Sequence, residues 1–129
     1  MRRSFVFGMC IGAAVMAVAL AAYSEISTSM DPVKVSPEYY KVLFENEQVR
    51  VLEYHLKAGE KEKAHSHSAG IVYSFGEGKL RSTFPDGKSS EATAKAGEVH
   101  WRDPITHSLE NIGSTELHAL AVELKKTCN

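Results

Sequence analysis

Gly59-Glu60-Lys61-Glu62-Lys63-Ala64-His65-Ser66-His67 is the stretch on which the reading of this chain turns. It ends in a His-x-His pair that opens a β-prone run. In a strand, residues i and i+2 point the same way, and at about 3.3 Å per residue their Cα atoms lie roughly 6.5–7 Å apart. Two imidazoles at that separation can converge on one ion, and neutral imidazole suits Fe, Ni, Cu and Zn. Surface strands carry such pairs too, so a third histidine from elsewhere in the chain is needed before the pair means metal.

Outward from the pair, short β-runs alternate with turn signals. Val49–Leu56 alternates, with Leu52, Tyr54 and Leu56 on one face. Residues 69–75 are apolar and β-prone, and residues 79–84 run into Pro85-Asp86-Gly87, a strong turn. Ser89–Ala94 pairs back as a hairpin, Lys95-Ala96-Gly97 turns, and residues 98–101 form a strand that Asp103-Pro104 breaks. Residues 107–111 and the alternating Leu117–Leu124 follow, with Ile112-Gly113-Ser114 between them. About eight strands at this spacing predict an all-β sandwich or barrel. A jelly roll is one solution, because a double sheet protects its edges.

The N-terminus is expected to stand apart from this fold. Met1-Arg2-Arg3 is a basic head, residues 5–22 carry no charge, and Ala17, Ala19, Ala21 and Ala22 supply small residues in A-x-A spacing. That order predicts a secretory signal peptide over residues 1–22, with an uncleaved anchor as the alternative. Residues 23–37, rich in Ser with two prolines, read as a linker, and residues 38–126 as the β-domain. The domain would then be periplasmic or secreted, or held outside the cytoplasm by the anchor. Cys10 falls in the leader, so Cys128 alone remains and no intramolecular disulfide can form. The chain holds 15 Lys and Arg against 16 Asp and Glu, and the lysines are scattered. Nucleic acid is therefore not an expected partner, and nothing in the mature domain calls for a membrane.

The nine residues quoted above also resemble the first sequence motif of the cupins, in which a Gly precedes a His-x-His, and Gly78 falls where that motif ends. Gly97, Pro104 and the His107-Ser108-Leu109-Glu110-Asn111 segment resemble the second motif with its H-x3-N close. The resemblance runs from about Tyr40 to Leu124. It implies a single cupin-type jelly-roll β-barrel, with one divalent metal (Fe, Mn, Ni, Zn or Cu) held by His65, His67 and His107. Two departures stand out. The Glu expected four residues after the second His is Ile71, and the second motif is one residue short between Gly97 and His107. Imidazole ligation should weaken as pH falls through about 6.5, where free histidine takes up a proton.

If the inward phase set by His65 and His67 continues, Ala69, Ile71, Tyr73 and Phe75 also face the site. Tyr73 and His100 are then the candidates for a catalytic group; of the neighbours His100 and Trp101, which face opposite ways on a strand, Trp101 is the one expected to reach the pocket. His55 and His118 read as structural or surface residues, and Asn111 as support for a strand end. Two functions fit. One is a metal-dependent enzyme of dioxygenase or isomerase type acting on a small molecule, with an anionic or chelating substrate supplying the missing negative charge. The other is a non-catalytic module that captures a metal or small molecule. A second copy of the chain, as a homodimer, is the remaining partner considered.

Overall fold

The computed structural model describes residues 30–125. The basic and apolar leader, residues 23–29 of the expected linker and Cys128 lie outside them. The described chain forms one helical turn, α1 (Pro32–Val35), and nine strands: β1 (Tyr40–Glu45), β2 (Val49–Leu56), β3 (His65–His67), β4 (Gly70–Ser74), β5 (Gly78–Thr83), β6 (Ser89–Ala94), β7 (Val99–Arg102), β8 (Ile105–Asn111) and β9 (Leu117–Leu124). They make two antiparallel sheets, one in the order β1-β2-β9-β4-β7 and one in the order β3-β8-β5-β6. Among the described residues, no helix is long and apolar enough to cross a membrane.

The two sheets face each other because each strand alternates. Leu52, Tyr54 and Leu56 of β2 and Leu117 and Ala121 of β9 are buried and form the apolar floor. Their outward neighbours Glu53 and His55 stay partly exposed to solvent, with side chains 28% and 44% accessible. The tight turns fall where glycine was expected to permit them. Gly87 and Gly97 sit at φ 82° and 80°, a region costly for any residue with a Cβ. Asn111 is fully buried at the end of β8 and supports that strand end. Its amide donates to the Leu56 and Thr115 carbonyls at 2.9 and 2.7 Å, and its carbonyl accepts from Gly113 N at 3.0 Å.

Residues 30–37 are part of the fold rather than linker. Asp31 caps α1, its side chain accepting from Val33 N at 3.0 Å, and Pro32 occupies the first turn, the position where a missing N–H costs nothing. Pro32 and Ser36 are buried, and Ser66 N donates to the Met30 carbonyl at 2.7 Å. Within residues 30–37, Pro32 and Ser36 begin and end this helical turn.

The β3–β4 passage differs from expectation in a way that matters for the site. β3 belongs to the four-stranded sheet and β4 to the five-stranded one. Ser68 and Ala69 carry the chain from one layer to the other, so the alternation restarts at Gly70. Gly70 is buried against β9, and a Cβ there would collide with the Val122 carbonyl oxygen, a backbone atom that cannot swing aside. Gly70→Ala should therefore cost stability at the top of the ~1–3 kcal/mol range for overpacking. The expected thermal melt falls by roughly 12 °C or more, and an unchanged melting temperature would show that the sheet yields at this point.

Candidate metal centre

β3 and β8 pair antiparallel with His65 directly opposite His107 and His67 opposite Ile105. Strand parity keeps His65 and His67 on the same inner face, and the register sets His107 beside them. All three are buried, at 0%, 6% and 7% exposure. Their ring centroids are 4.7, 4.9 and 5.6 Å apart, and one nitrogen from each lies within 4.8 Å of the others. The sequence named these three residues, and the fold brings them together.

Ring orientation is set by groups behind the histidines. His65 Nδ1 lies 2.7 Å from the Lys63 carbonyl oxygen. Since a carbonyl only accepts, the proton is on Nδ1 and Nε2 carries the lone pair. His67 Nδ1 lies 2.6 Å from Glu123 Oε1, which fixes the same tautomer. Metal-binding histidines are held this way by carbonyl and carboxylate partners. His107 differs: both of its ring nitrogens are buried with no hydrogen-bond partner. An orphaned buried imidazole is costly, and a cation shared with the two oriented neighbours would satisfy it. The donor set fits a divalent ion that prefers imidazole.

Burial pushes the imidazoles toward the neutral form that ligation needs. The His65 pKa falls to about 4 through desolvation, opposed in part by the Lys63 carbonyl, and His107 falls to about 3 through desolvation and the neighbouring histidines. Burial also lowers His67, against the pull of Glu123. Burial alone would raise Glu123, but the bonds from His67 and Arg50 outweigh it and hold the carboxyl below its usual range. Arg50 reaches Glu123 Oε2 at 2.8 Å and Asp31 at 3.0 Å, and Arg102 reaches Glu123 Oε1 at 3.3 Å. Glu123 is thus a buried anion between two guanidiniums and a histidine.

Several inward residues escaped the sequence reading. Glu62, 2% exposed, places Oε1 3.5 Å from His65 Nε2 and 3.3 Å from the Tyr54 hydroxyl. Desolvation lifts its carboxyl to about 8, so it holds a proton at neutral pH. The Tyr40 hydroxyl lies 3.3 Å from the same His65 nitrogen. A cavity of about 400 Å³ opens in front of these groups, lined by Tyr40, Tyr54, His67, His107, Arg102 and His100 together with small and apolar side chains.

The continuous inward phase expected beyond His67 does not hold. Val72 and Ser74 line the cavity, whereas Ile71 and Phe75 are 44% and 47% exposed. Tyr73 shares their outer face and packs its ring on Phe75 at 5.0 Å, which removes it as a catalytic candidate. Ile71 pairs with Val122 and Trp101 across the outer surface, so a carboxylate at position 71 would stand in solvent, away from the ion site. The change of sheet at Ser68–Ala69 is the cause. The pocket position expected for Trp101 belongs to its neighbour: His100 lines the cavity and Trp101 is 56% exposed.

No protein-family model matches the chain, and no curated protein matches it. Solved structures do. A cupin domain from Bordetella pertussis Tohama I is 27% identical, covers 67% of this chain and 92% of its own, and superposes with a TM-score of 0.61. An RmlC-like cupin family protein with a double-stranded β-helix fold from Methanocaldococcus jannaschii is 22% identical over 66% of this chain and 77% of its own, with a TM-score of 0.53. A cupin superfamily protein from Desulfitobacterium hafniense DCB-2, 13% identical over 67% of this chain and 76% of its own, gives 0.52. The last two, 22% and 13% identical, speak to the fold alone. The chain belongs to the cupin superfamily.

Proposed function

We propose that the protein holds one divalent transition metal through His65, His67 and His107 and acts as a metal-dependent enzyme on a small anionic molecule. The observation that carries this reading is His107, whose two buried nitrogens lack any partner while facing two imidazoles of fixed tautomer. A bound first-row divalent ion supplies Lewis-acid or redox chemistry. The chain's own residues provide the rest. Arg102 lines the cavity with its Nε unpartnered and buried, which suits a carboxylate or enolate-like group. Such a ligand also brings the negative charge that the three neutral imidazoles lack. Tyr40 and Tyr54 line the cavity, and Glu62 holds a proton beside the Tyr54 hydroxyl. The apolar remainder of the lining excludes water from the bound molecule.

The order of a basic head, an apolar run and small residues at the N-terminus supports an extracytoplasmic location in the same proposal. The test starts from protein recovered from the extracytoplasmic fraction, whose first residue should lie between Ala22 and Glu25. Loaded with Fe, Mn, Ni, Zn or Cu in turn, it is screened for O2 uptake and for isomerisation with small carboxylates, thiols, diketones and phenols. Turnover of at least one class, lost on His107→Ala, is the expected result. Stoichiometric binding of a compound with no turnover under any metal would establish the capture module instead.

A further inference from the structure

A second group of side chains with metal-binding chemistry stands on the opposite surface of the five-stranded sheet. His55 of β2 and His118 of β9 are direct register partners, and Glu53 lies two residues before His55 on the same outward face. One ligand atom from each of the three lies within 4.8 Å of the others. Two imidazole nitrogens converge on one oxygen: Glu53 Oε1 is 2.9 Å from His118 Nε2 and 3.5 Å from His55 Nε2. Behind His55, Glu116 Oε1 sits 3.6 Å from Nδ1. That separation is too long for a hydrogen bond, but both side chains are about half exposed, and a small rotation would let the carboxylate accept the Nδ1 proton and leave Nε2 to ligate.

The His118 ring is pinned. It is stacked between Phe75, centroids 4.4 Å apart, and His55, 4.1 Å apart at 16° between planes. Nearly parallel rings cannot both aim their in-plane lone pairs at one ion. His55 must turn out of the stack, and its 44% side-chain exposure leaves it room to do so. Lys41, the register partner of Glu53 on β1, is a cation that could compete for its carboxylate. From this geometry we propose an exposed site for a divalent transition metal such as Zn2+ or Cu2+, with His55 Nε2, His118 Nε2 and a Glu53 oxygen as ligands and water completing the shell. It shares no ligand with the inner metal site, and its open positions face solvent.

The experiment titrates Zn2+ by calorimetry into full-length protein stripped of metal, and follows imidazole signals by NMR as Cu2+ is added. Wild type should take up an outer equivalent that His55→Ala and His118→Ala each lose, while Glu53→Gln weakens it at least tenfold. Cu2+ should broaden the His55 and His118 signals in the first additions attributable to that equivalent. All three residues are surface-facing, so these variants keep the fold. An outer equivalent retained with unchanged affinity in both His variants overturns the proposal. If the inner site took no metal, wild type would bind one equivalent and His118→Ala none, which sinks the inner reading and leaves this one standing.

Discussion

Replacing His107 by alanine should abolish inner-site metal binding and, with it, the thermal stabilisation that metal at this site confers. Only the folded chain assembles the three nitrogens, so ligand linkage stabilises it by about 2.7 kcal/mol at a hundredfold excess of ion over its dissociation constant. In a domain of this size that is a rise of roughly 10–20 °C in Tm. The metal-free proteins should differ far less. The alanine loses some packing but also removes two buried nitrogens that have no partner. Acid should separate the two proteins again. His65 and His107 titrate near 6.5 when unfolded but at about 4 and about 3 when folded, so between those values the unfolded chain binds more protons. Their contribution to stability is fully present above about 6.5 and is lost as pH falls toward the folded values, at up to about 1.4 kcal/mol per pH unit per group. His107→Ala should therefore flatten the acid limb of the stability profile. Within the folded protein the same shifts keep the nitrogens free of protons below 6.5, so metal binding should persist to a lower pH than free histidine would allow. Tm measured against pH, with and without metal, checks all three points. A metal-free wild type whose Tm ignores every added ion would rule the inner site out.

Glu123→Ala should be among the most damaging single changes in the domain. The carboxylate is 3% exposed and accepts from His67, Arg50 and Arg102. Without it Arg102 keeps a buried positive charge with no carboxylate bonded to it, whereas Arg50 retains Asp31. Breaking a buried pair from one side costs about 3–5 kcal/mol, a large part of the whole stability of a small domain. Glu123→Gln separates folding from ligation. The amide retains the shape and one acceptor, so part of the stability returns. Its neutral oxygen holds the His67 tautomer less firmly, and metal affinity should drop about 10–100-fold. Urea melts give the first quantity and metal titration the second. Equal metal affinity in wild type and Glu123→Gln would mean that His67 is oriented by packing alone.

How much of this was legible in the sequence depended on the range over which each signal acts. The His-x-His pair is a two-residue relation, so strand parity suffices to place it. His107 required the second motif, because its register against His65 is made by two strands forty residues apart. The phase error at Ile71 and Tyr73 came from extending parity through Ser68 and Ala69, where the chain leaves one sheet for the other. Nothing in residue type marks that corner except Gly70, whose role appears only with Val122 against it. Glu123 did carry a readable signal. It shares the inward phase of Leu117, Ala119 and Ala121, and a charge on a buried phase asks for a partner. Glu62 carried none, since it looked like one more charge in a solvated Glu-Lys run until the fold brought Tyr54 and His65 to it. Asp31-Pro32 was a helix-start signal hidden by its linker-like surroundings.

The position of β9 also bears on how the molecule forms. This strand leaves the ribosome after the other eight, yet it lies in the middle of its sheet, between β2 and β4. Until it arrives, β2 and β4 have no common neighbour, Arg50 and Arg102 have no anion between them, and β4 and β7 are cut off from β1 and β2. Early collapse can form the β1–β2 and β5–β6 hairpins, which are local, but the larger layer cannot close. The nascent chain must carry exposed strand edges for nearly its whole length, a state open to mispairing and aggregation. Closure and completion of the His67 support then arrive with the same eight residues, so a chain stalled before Leu117 is neither folded nor able to orient its site.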